Sequence, residues 1–390
     1  MINIDQYFDP AAWQKFTKAA EGRETPFLVV DLSRIKTKYH EMVSLFPHAK
    51  LHYAMKASPA VEVINLLASL GSNFDCASIY ELDRVLDCGV KPSRISYGNT
   101  IKKAEHVKYA FDKGIDLYAT DSDADLKNIA KHAPGSKVFV RILVQGSDTA
   151  EWPLSRKFGC HPNMAIDLLI QARDLGLVPY GISFHVGSQQ KDVAAWDDAL
   201  AKVKYMFDWM QNEEGIKLQM INLGGGFPTN YISEVNPIQV YAEEITRYLS
   251  DDYHEEMPEI ILEPGRSLVG GSGVLVSDVV LISRKSHTDL TRWVYTDVGL
   301  FQGLIETLGE AIKYPVYTPK METSTSEGTV VLAGPTCDST DIMYEEAGYQ
   351  LPEELEIGDK IYWLTTGAYT NSYSSVEFNG FPPLEVVYID

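Results

Sequence analysis

The chain has 390 residues, 45% hydrophobic and 23% charged, with a formal net charge of -20. That balance excludes a disordered or fibrous chain, and the length suits two domains. The negative field repels nucleic acid and anionic membranes and favours a cationic substrate.

No apolar run approaches the length needed to span a bilayer. The opening MINIDQYFDPAAW carries Asp5, Asp9 and Pro10 and lacks the basic region and apolar core of a signal peptide. Cys76, Cys88, Cys160 and Cys337 form neither a CxxC pair nor a zinc spacing. At least two of them read as small buried apolar residues. The expectation is a cytoplasmic protein with no metal and no nucleic-acid or membrane partner.

In chain order, the run FLVVDLSRI, beginning at Phe27, is strand-like and able to pair with a later sheet. From about residue 50 one alternation repeats: a short apolar run ends in polar or Gly residues, and an amphipathic stretch follows. The runs are KLHYAMKA (50–57), NFDCAS (73–78), RISYGN (94–99), DLYATD (116–121), KVFVRILV (137–144), VPYGISFHVGS (178–188), KLQMINLGGG (217–226) and EIILEPGR (259–266), eight in all. Between them, IDLLIQARDLG (166–176) has a helical period and stops at Gly176; LASLG and LDCGV stop likewise at Gly71 and Gly89. AWDDALAKVKYMFDWMQNEEG is a longer helix with Val203, Met206, Phe207 and Met210 on one face. Parallel strands need crossovers that helices supply, so eight such units predict a (β/α)₈ TIM-type barrel; an open doubly wound sheet is the rival. After residue 270, VLVSDVVLIS, RWVYTDV, TVVLAG, KIYWLTTGAY and PLEVVYI are β-rich. The predicted division is a barrel over 35–270 and a β-sandwich or β-barrel domain made of 1–34 with 271–390.

Chemistry in such a barrel sits at the C-terminal ends of the strands. There the chain places Lys56, Asp75, Arg141, His185, Gly224, Gly225, Gly226, Glu263 and Arg266. A partly desolvated lysine has a lowered pKa and can form a Schiff base; taken alone, Lys56 reads rather as a snorkelling surface residue. Consecutive glycines let backbone N–H groups close around a phosphate, although turns need glycine too. Glu263 could hold a pyridine nitrogen protonated, or simply pair with Arg266. His185 in SFHVGS could stack on a flat cofactor, act as a base, or be a satisfied core residue. Cys337 and Asp338 in GPTCDSTD could be a proton donor beside a charge binder, or an ordinary loop pair.

Taken together, YAMKAS (53–58), FDCAS (74–78), RKFG (156–159), SFHVGS (183–188), GGGFP (224–228), EPGR (263–266), GPTCDSTD (334–341), GAYT (367–370) and FNGF (378–381) resemble the eukaryotic-type ornithine decarboxylases. That family belongs to the alanine-racemase-like, fold type III class of pyridoxal-phosphate enzymes. The resemblance implies pyridoxal 5'-phosphate as cofactor, carried by Lys56 near Asp75 and Glu81. It implies that His185 stacks on the pyridine ring with Arg141 nearby, and that Glu263 pairs with the pyridine nitrogen. Ser188, Gly224, Gly225, Gly226, Gly265, Arg266 and Tyr369 would hold the phosphate. It further implies a homodimer with shared sites, in which Cys337 reprotonates the carbon that lost CO₂ and Asp338 holds the substrate's distal ammonium, with Phe378 lining the pocket. Lys157 and Asp341 match a pair that bridges subunits in the family.

The chain departs from the family where eukaryotic members carry a Tyr-Asp pair facing the distal amine. With Gly299 and Pro315 as anchors, that pair falls on Gly309 and Glu310, and Glu306 lies in the same stretch. The expected activity is therefore decarboxylation of L-ornithine, L-lysine or both, to putrescine or cadaverine in polyamine biosynthesis. The alternatives are a diaminopimelate or arginine decarboxylase on the same fold, or a non-catalytic regulatory homologue. Acids in the distal pocket disfavour diaminopimelate, and arginine decarboxylases of this fold are expected to be much longer. Retention of Lys56, Glu263 and Cys337 disfavours a regulatory homologue.

Overall fold

Two kinds of apolar pattern give two compact units in the computed structural model, which describes residues 2–144, 149–152, 156–254 and 256–390. One unit comprises Lys36–Pro228 and Asn236–Ser267; the other comprises the residues up to Ile35, Thr229–Val235 and Leu268–Asp390. The short segment Thr229–Val235, expected within the barrel, thus groups with the β-rich unit.

In chain order the strands begin with β1 (Phe27–Asp31), which lies in the β-rich unit. There follow β2 (Ala49–Ala54), β3 (Asn73–Cys76), β4 (Ile95–Tyr97), β5 (Leu117–Thr120), β6 (Lys137–Arg141), β7 (Ala150–Trp152), β8 (Val178–Ser183), β9 (Ser188–Gln190), β10 (Met220–Asn222) and β11 (Glu259–Leu262). Eight of these close as β10-β11-β2-β3-β4-β5-β6-β8, while β7 and β9 form a separate antiparallel ribbon. Each of the eight predicted runs supplies one barrel strand, and the doubly wound alternative falls away.

The strands read as near-continuous apolar runs because helices cover them outside and side chains fill the barrel inside. Leu117, Ala119, Phe139, Met220 and Ile261 form an interior cluster against which Tyr180 packs. The helices stop as predicted, since Gly71, Gly89 and Gly176 adopt φ of 97°, 80° and 77°, which glycine alone tolerates cheaply. The helix read from Ile166 begins earlier, at Pro162, because proline at the first helical position forfeits no hydrogen bond. The long helix Ala194–Glu214 buries Val203, Met206 and Met210.

In the β-rich unit, β1 pairs antiparallel with β12 (Gly273–Ser283) and parallel with the C-terminal strand Glu385–Ile389. The strand-like reading of FLVVDLSRI holds only as far as Asp31, because Leu32–Leu45 is a helix. The cause is local: Asp31 Oδ1 accepts from Ser33 N at 2.8 Å and Ser33 Oγ at 2.6 Å, an N-cap that turns the chain into a helix. Strand β12 also pairs with Arg292–Thr296 and Lys360–Leu364, and the unit's sheet has nine strands.

Candidate active site

Strand ends at one mouth of the barrel bring together most of the predicted residues. Lys56 lies in the single turn Met55–Ala57 that follows β2. Register pairs Ala54 with Asp75 on the neighbouring strand, and Asp75 with Ser96 on the next. Asp75 is 9% exposed. Burial pushes its carboxyl well above the usual range, the nearby Glu263 and Glu81 push it the same way, and Lys56 pulls it back. A Cβ built on Gly98 would lie 1.9 Å from Asp75 Oδ1, so only glycine leaves room for that carboxylate. Glu81 follows the N-cap Ser78 by three residues, and its Oε2 accepts from Ala77 N at 2.7 Å. Burial raises its carboxyl as well, and Lys56 opposes the rise.

The far side of the mouth is built from the ends of β8, β10 and β11. His185 Nδ1 accepts from Gly187 N at 3.0 Å. Burial holds the imidazole well below 6.5, and the charges of Arg141 and Lys56 reinforce this. The ring is therefore neutral, with its proton on Nε2. Arg141 lies with its guanidinium 5.1 Å from the centre of the Phe158 ring. Asn222, 1% exposed, donates through its side-chain amide to Glu263 Oε1. Its own Oδ1 accepts from Gly224 N at 2.9 Å.

The glycines form a cradle that side chains would fill. At Gly224, with φ of 67°, a Cβ would lie 2.2 Å from Phe184 O; at Gly225 it would lie 2.7 Å from Glu263 O; at Gly226, 2.5 Å from Gly187 O. At Gly265 it would meet the Ala57 Cβ at 3.0 Å. Arg266, 4% exposed, donates to Ser188 Oγ from Nε at 3.2 Å and Nη2 at 3.1 Å. A buried guanidinium, a hydroxyl and close-approaching backbone suit a phosphate dianion. With a lysine, a carboxylate held by an amide, and a neutral imidazole, the set fits a phosphorylated pyridine aldehyde.

The remaining predicted residues lie in the β-rich unit. Cys337 is exposed, and its backbone N donates to Asn379 Oδ1 at 2.9 Å. Phe378 stands in the adjoining turn Phe378–Gly380, its ring 4.4 Å from that of Phe301. The motifs GPTCDSTD and FNGF therefore meet. Asp338 is exposed; hydrogen bonds from Thr340 hold its carboxyl below the usual range. Tyr369 is buried with a φ of 55°. Asp341 is 3% exposed, and both of its oxygens bind within the unit: Oδ1 accepts from Leu300 N at 2.8 Å, and Oδ2 from Thr336 N at 3.1 Å and Thr336 Oγ1 at 2.7 Å. Glu310 also has local duty, since its Oε1 accepts from Glu345 N at 2.7 Å and Glu346 N at 2.6 Å. Glu306 is buried in the same 3₁₀ stretch, Ile305–Glu310.

Sequence reasoning missed Asn222, Ser96 and His52, the last a buried residue of β2 whose Nδ1 lies 3.1 Å from Ser96 Oγ. A polar residue inside the apolar run LQMINL was the available signal for Asn222; Ser96 and His52 had none beyond their place on strands.

Comparison with known proteins agrees with this geometry. Residues 32–270 match the family described as pyridoxal-dependent decarboxylase, pyridoxal binding domain. The lysine/ornithine decarboxylase of Selenomonas ruminantium is 33% identical, over 92% of this chain and 88% of that protein. The crystal structure of SrLDC in complex with PLP and cadaverine superposes with a TM-score of 0.86 at 32% identity, covering 96% of this chain and 93% of the other. The Paramecium bursaria Chlorella virus arginine decarboxylase bound to agmatine superposes with a TM-score of 0.87 at 28% identity, covering 96% of this chain and 100% of that one. That last match removes the expectation that an arginine decarboxylase of this fold must be much longer. By barrel, site and sequence alike, the chain belongs to the pyridoxal-dependent decarboxylases, whose cofactor is pyridoxal phosphate.

Proposed function

We propose that the protein decarboxylates L-ornithine, L-lysine or both, releasing putrescine or cadaverine for polyamine biosynthesis. The observation that carries the reading is the convergence of Lys56, Asp75, His185, the Asn222–Glu263 pair and the Ser188–Arg266 pair at one barrel mouth. Bound pyridoxal phosphate supplies an electron sink for the pair left behind when a carboxylate departs as CO₂.

The chain's own residues have distinct tasks. Lys56 Nζ would hold the cofactor's aldehyde carbon. Ser188, Arg266, Gly265 and the Gly224–Gly226 turn bind the phosphate, joined by Tyr369. Glu263, fixed by Asn222, keeps a proton on the pyridine nitrogen. His185, neutral and tied to Gly187, would hold the cofactor ring, with Arg141 contributing on the same side of the site. Cys337 Sγ delivers a proton to the carbon that lost its carboxylate. Asp338 meets the distal ammonium, with Phe378 lining the chain of methylenes and Glu306 or Glu310 as the second acid. The reading includes a homodimer, in which Cys337 and Asp338 of one subunit serve the barrel of the other, and a cytoplasmic location. Lys157 and Asp341 are the proposed bridge between subunits, although the internal bonds of Asp341 make it a support of its own loop in any case.

The test is CO₂ release by purified protein with pyridoxal phosphate, from L-ornithine, L-lysine, L-arginine and meso-diaminopimelate separately. Release from ornithine or lysine, lost in Lys56→Ala, is expected. Release from arginine or diaminopimelate alone overturns the substrate assignment.

A further inference from the structure

The floor of the mouth contains a polar chain that the reaction described above does not use. His52 lies on β2, four residues before Lys56, and is 4% exposed. Its Nδ1 is 3.1 Å from Ser96 Oγ on β4. Ser96 Oγ in turn lies 3.4 Å from Asp75 Oδ1 and 3.4 Å from Phe74 O. Asp75 sits on β3, between the two strands, and interacts electrostatically with Lys56.

We propose that His52 and Ser96 are positioning residues that fix the Asp75 carboxylate and, through it, set the proton affinity of the cofactor-bearing nitrogen of Lys56. This rests on the reading of Lys56 given above.

Proton counting gives the direction. Ser96 has a single hydroxyl proton. Were His52 Nδ1 an acceptor, that proton would be taken up by the ring and Asp75 would receive none. With the proton on Nδ1, His52 donates to Ser96, and the one Ser96 hydroxyl proton then divides between Asp75 Oδ1, where the acceptor is charged, and Phe74 O. Gly98 closes the other side of the carboxylate, since even a methyl group there would clash with it. The ring stays neutral because burial holds it down to about 4; of the charges facing it, Glu259 raises that value and Lys50 lowers it. The groups facing Asp75 are Glu263, Lys56, Glu81 and the Ser96 hydroxyl. Among these, Lys56 and Ser96 favour the ionised carboxylate. An ionised Asp75 in turn favours a protonated nitrogen at Lys56. Loss of the relay therefore makes Asp75 easier to protonate and Lys56 easier to deprotonate.

The experiment is a pH titration of the visible absorbance of the holoenzyme, with the rate of cofactor release as a second readout. The variants are His52→Phe, Ser96→Ala and His52→Asn, whose amide N–H takes the place of Nδ1–H. The midpoint should fall by about 0.4 to 1 pH unit in His52→Phe and Ser96→Ala, the span of one ordinary hydrogen bond, and cofactor release should quicken. His52→Asn should restore both. Should His52→Phe not fold, Ser96→Ala and His52→Asn still decide the matter. Wild-type midpoints and release rates in folded Ser96→Ala and His52→Phe overturn the relay. If Lys56→Ala keeps the wild-type absorbance, the Lys56 assignment fails instead, which separates the two conclusions.

Discussion

Asn222 joins Glu263 to the glycine turn: its amide nitrogen donates to Glu263 Oε1 while its amide oxygen accepts from Gly224 N at 2.9 Å. One buried side chain thereby sets both the carboxylate proposed for the pyridine nitrogen and the first residue of the phosphate cradle. Asn222→Asp keeps the shape but replaces a donor with a second carboxylate against Glu263. A hydrogen bond to a charged group contributes about 1.5–3 kcal/mol, so kcat/KM should fall roughly 10- to 150-fold, with weaker cofactor retention. Steady-state kinetics and cofactor dialysis check this. Unchanged values would mean that Glu263 needs no orienting partner.

His52 gives a stability signature separate from its proposed relay role. Its imidazole is held down to about 4, against an ordinary value of 6.5. Between those values the unfolded chain takes up a proton that the folded chain refuses, so stability is lost as pH falls from 6.5 toward 4. The full effect is roughly 3 kcal/mol at 1.36 kcal/mol per unit. Denaturant titrations at pH 7 and pH 4.5 should show a smaller loss in His52→Phe than in the wild type. Parallel losses in both proteins would place the titrating group elsewhere.

The barrel was legible because its strands and helices alternate with a period visible in single segments, and because glycine stops mark helix ends. The gathering of Lys56, Asp75, His185 and Glu263 at one barrel mouth was legible for a related reason: polar residues terminating apolar runs stand out. What stayed hidden depends on contacts distant in sequence. Glu310 reads as an acid near a substrate pocket, yet its Oε1 holds the backbone of Glu345 and Glu346, some 35 residues on. His52 and Ser96 are 44 residues apart, and neither departs from an ordinary strand pattern. The run after Phe27 misled at Leu32 because Asp31 as a cap outweighs the β-propensity of its neighbours.

Lys102 and Asp125 form a buried pair, 2.8 Å apart, with side chains 0% and 8% exposed. Lys102 Nζ also donates to Asn99 O at 2.8 Å and Ala119 O at 2.7 Å, tying the loop after β4 to the end of β5. Lys102→Met leaves a buried carboxylate without its cation and should cost about 3–5 kcal/mol, whereas Lys102→Met with Asp125→Leu should recover most of that loss. Burial raises the Asp125 carboxyl even in the intact pair. A carboxyl raised on folding loses stability as pH climbs above its ordinary value of 3.8. The deficit of the single variant should therefore shrink as pH falls. Chemical denaturation of both variants across pH 4–8 measures it; a double variant as unstable as the single would show that the pair is needed for its bonds to the loop rather than its charge balance.

Asp341 offers a way to loosen the loop bearing Cys337 and Asp338 without touching either. Its carboxylate accepts from Leu300 N, Thr336 N and Thr336 Oγ1. A Cβ on Gly299 or Gly334 would come within 2.1 or 2.3 Å of it, so both glycines exist to admit this group. Asp341→Ala strands buried donors at about 1–3 kcal/mol each. The β-rich unit should lose stability and the loop its shape. If Cys337 and Asp338 act as proposed, kcat should drop well beyond any change in cofactor retention, for which the β-rich unit supplies only Tyr369 among the proposed holding residues. Sedimentation measured on the same variant separates this from a bridging role. A protein that remains as associated as the wild type but turns over slowly supports the loop, whereas dissociation matched by Lys157→Ala would make the Lys157–Asp341 contact between subunits the dominant task of this carboxylate.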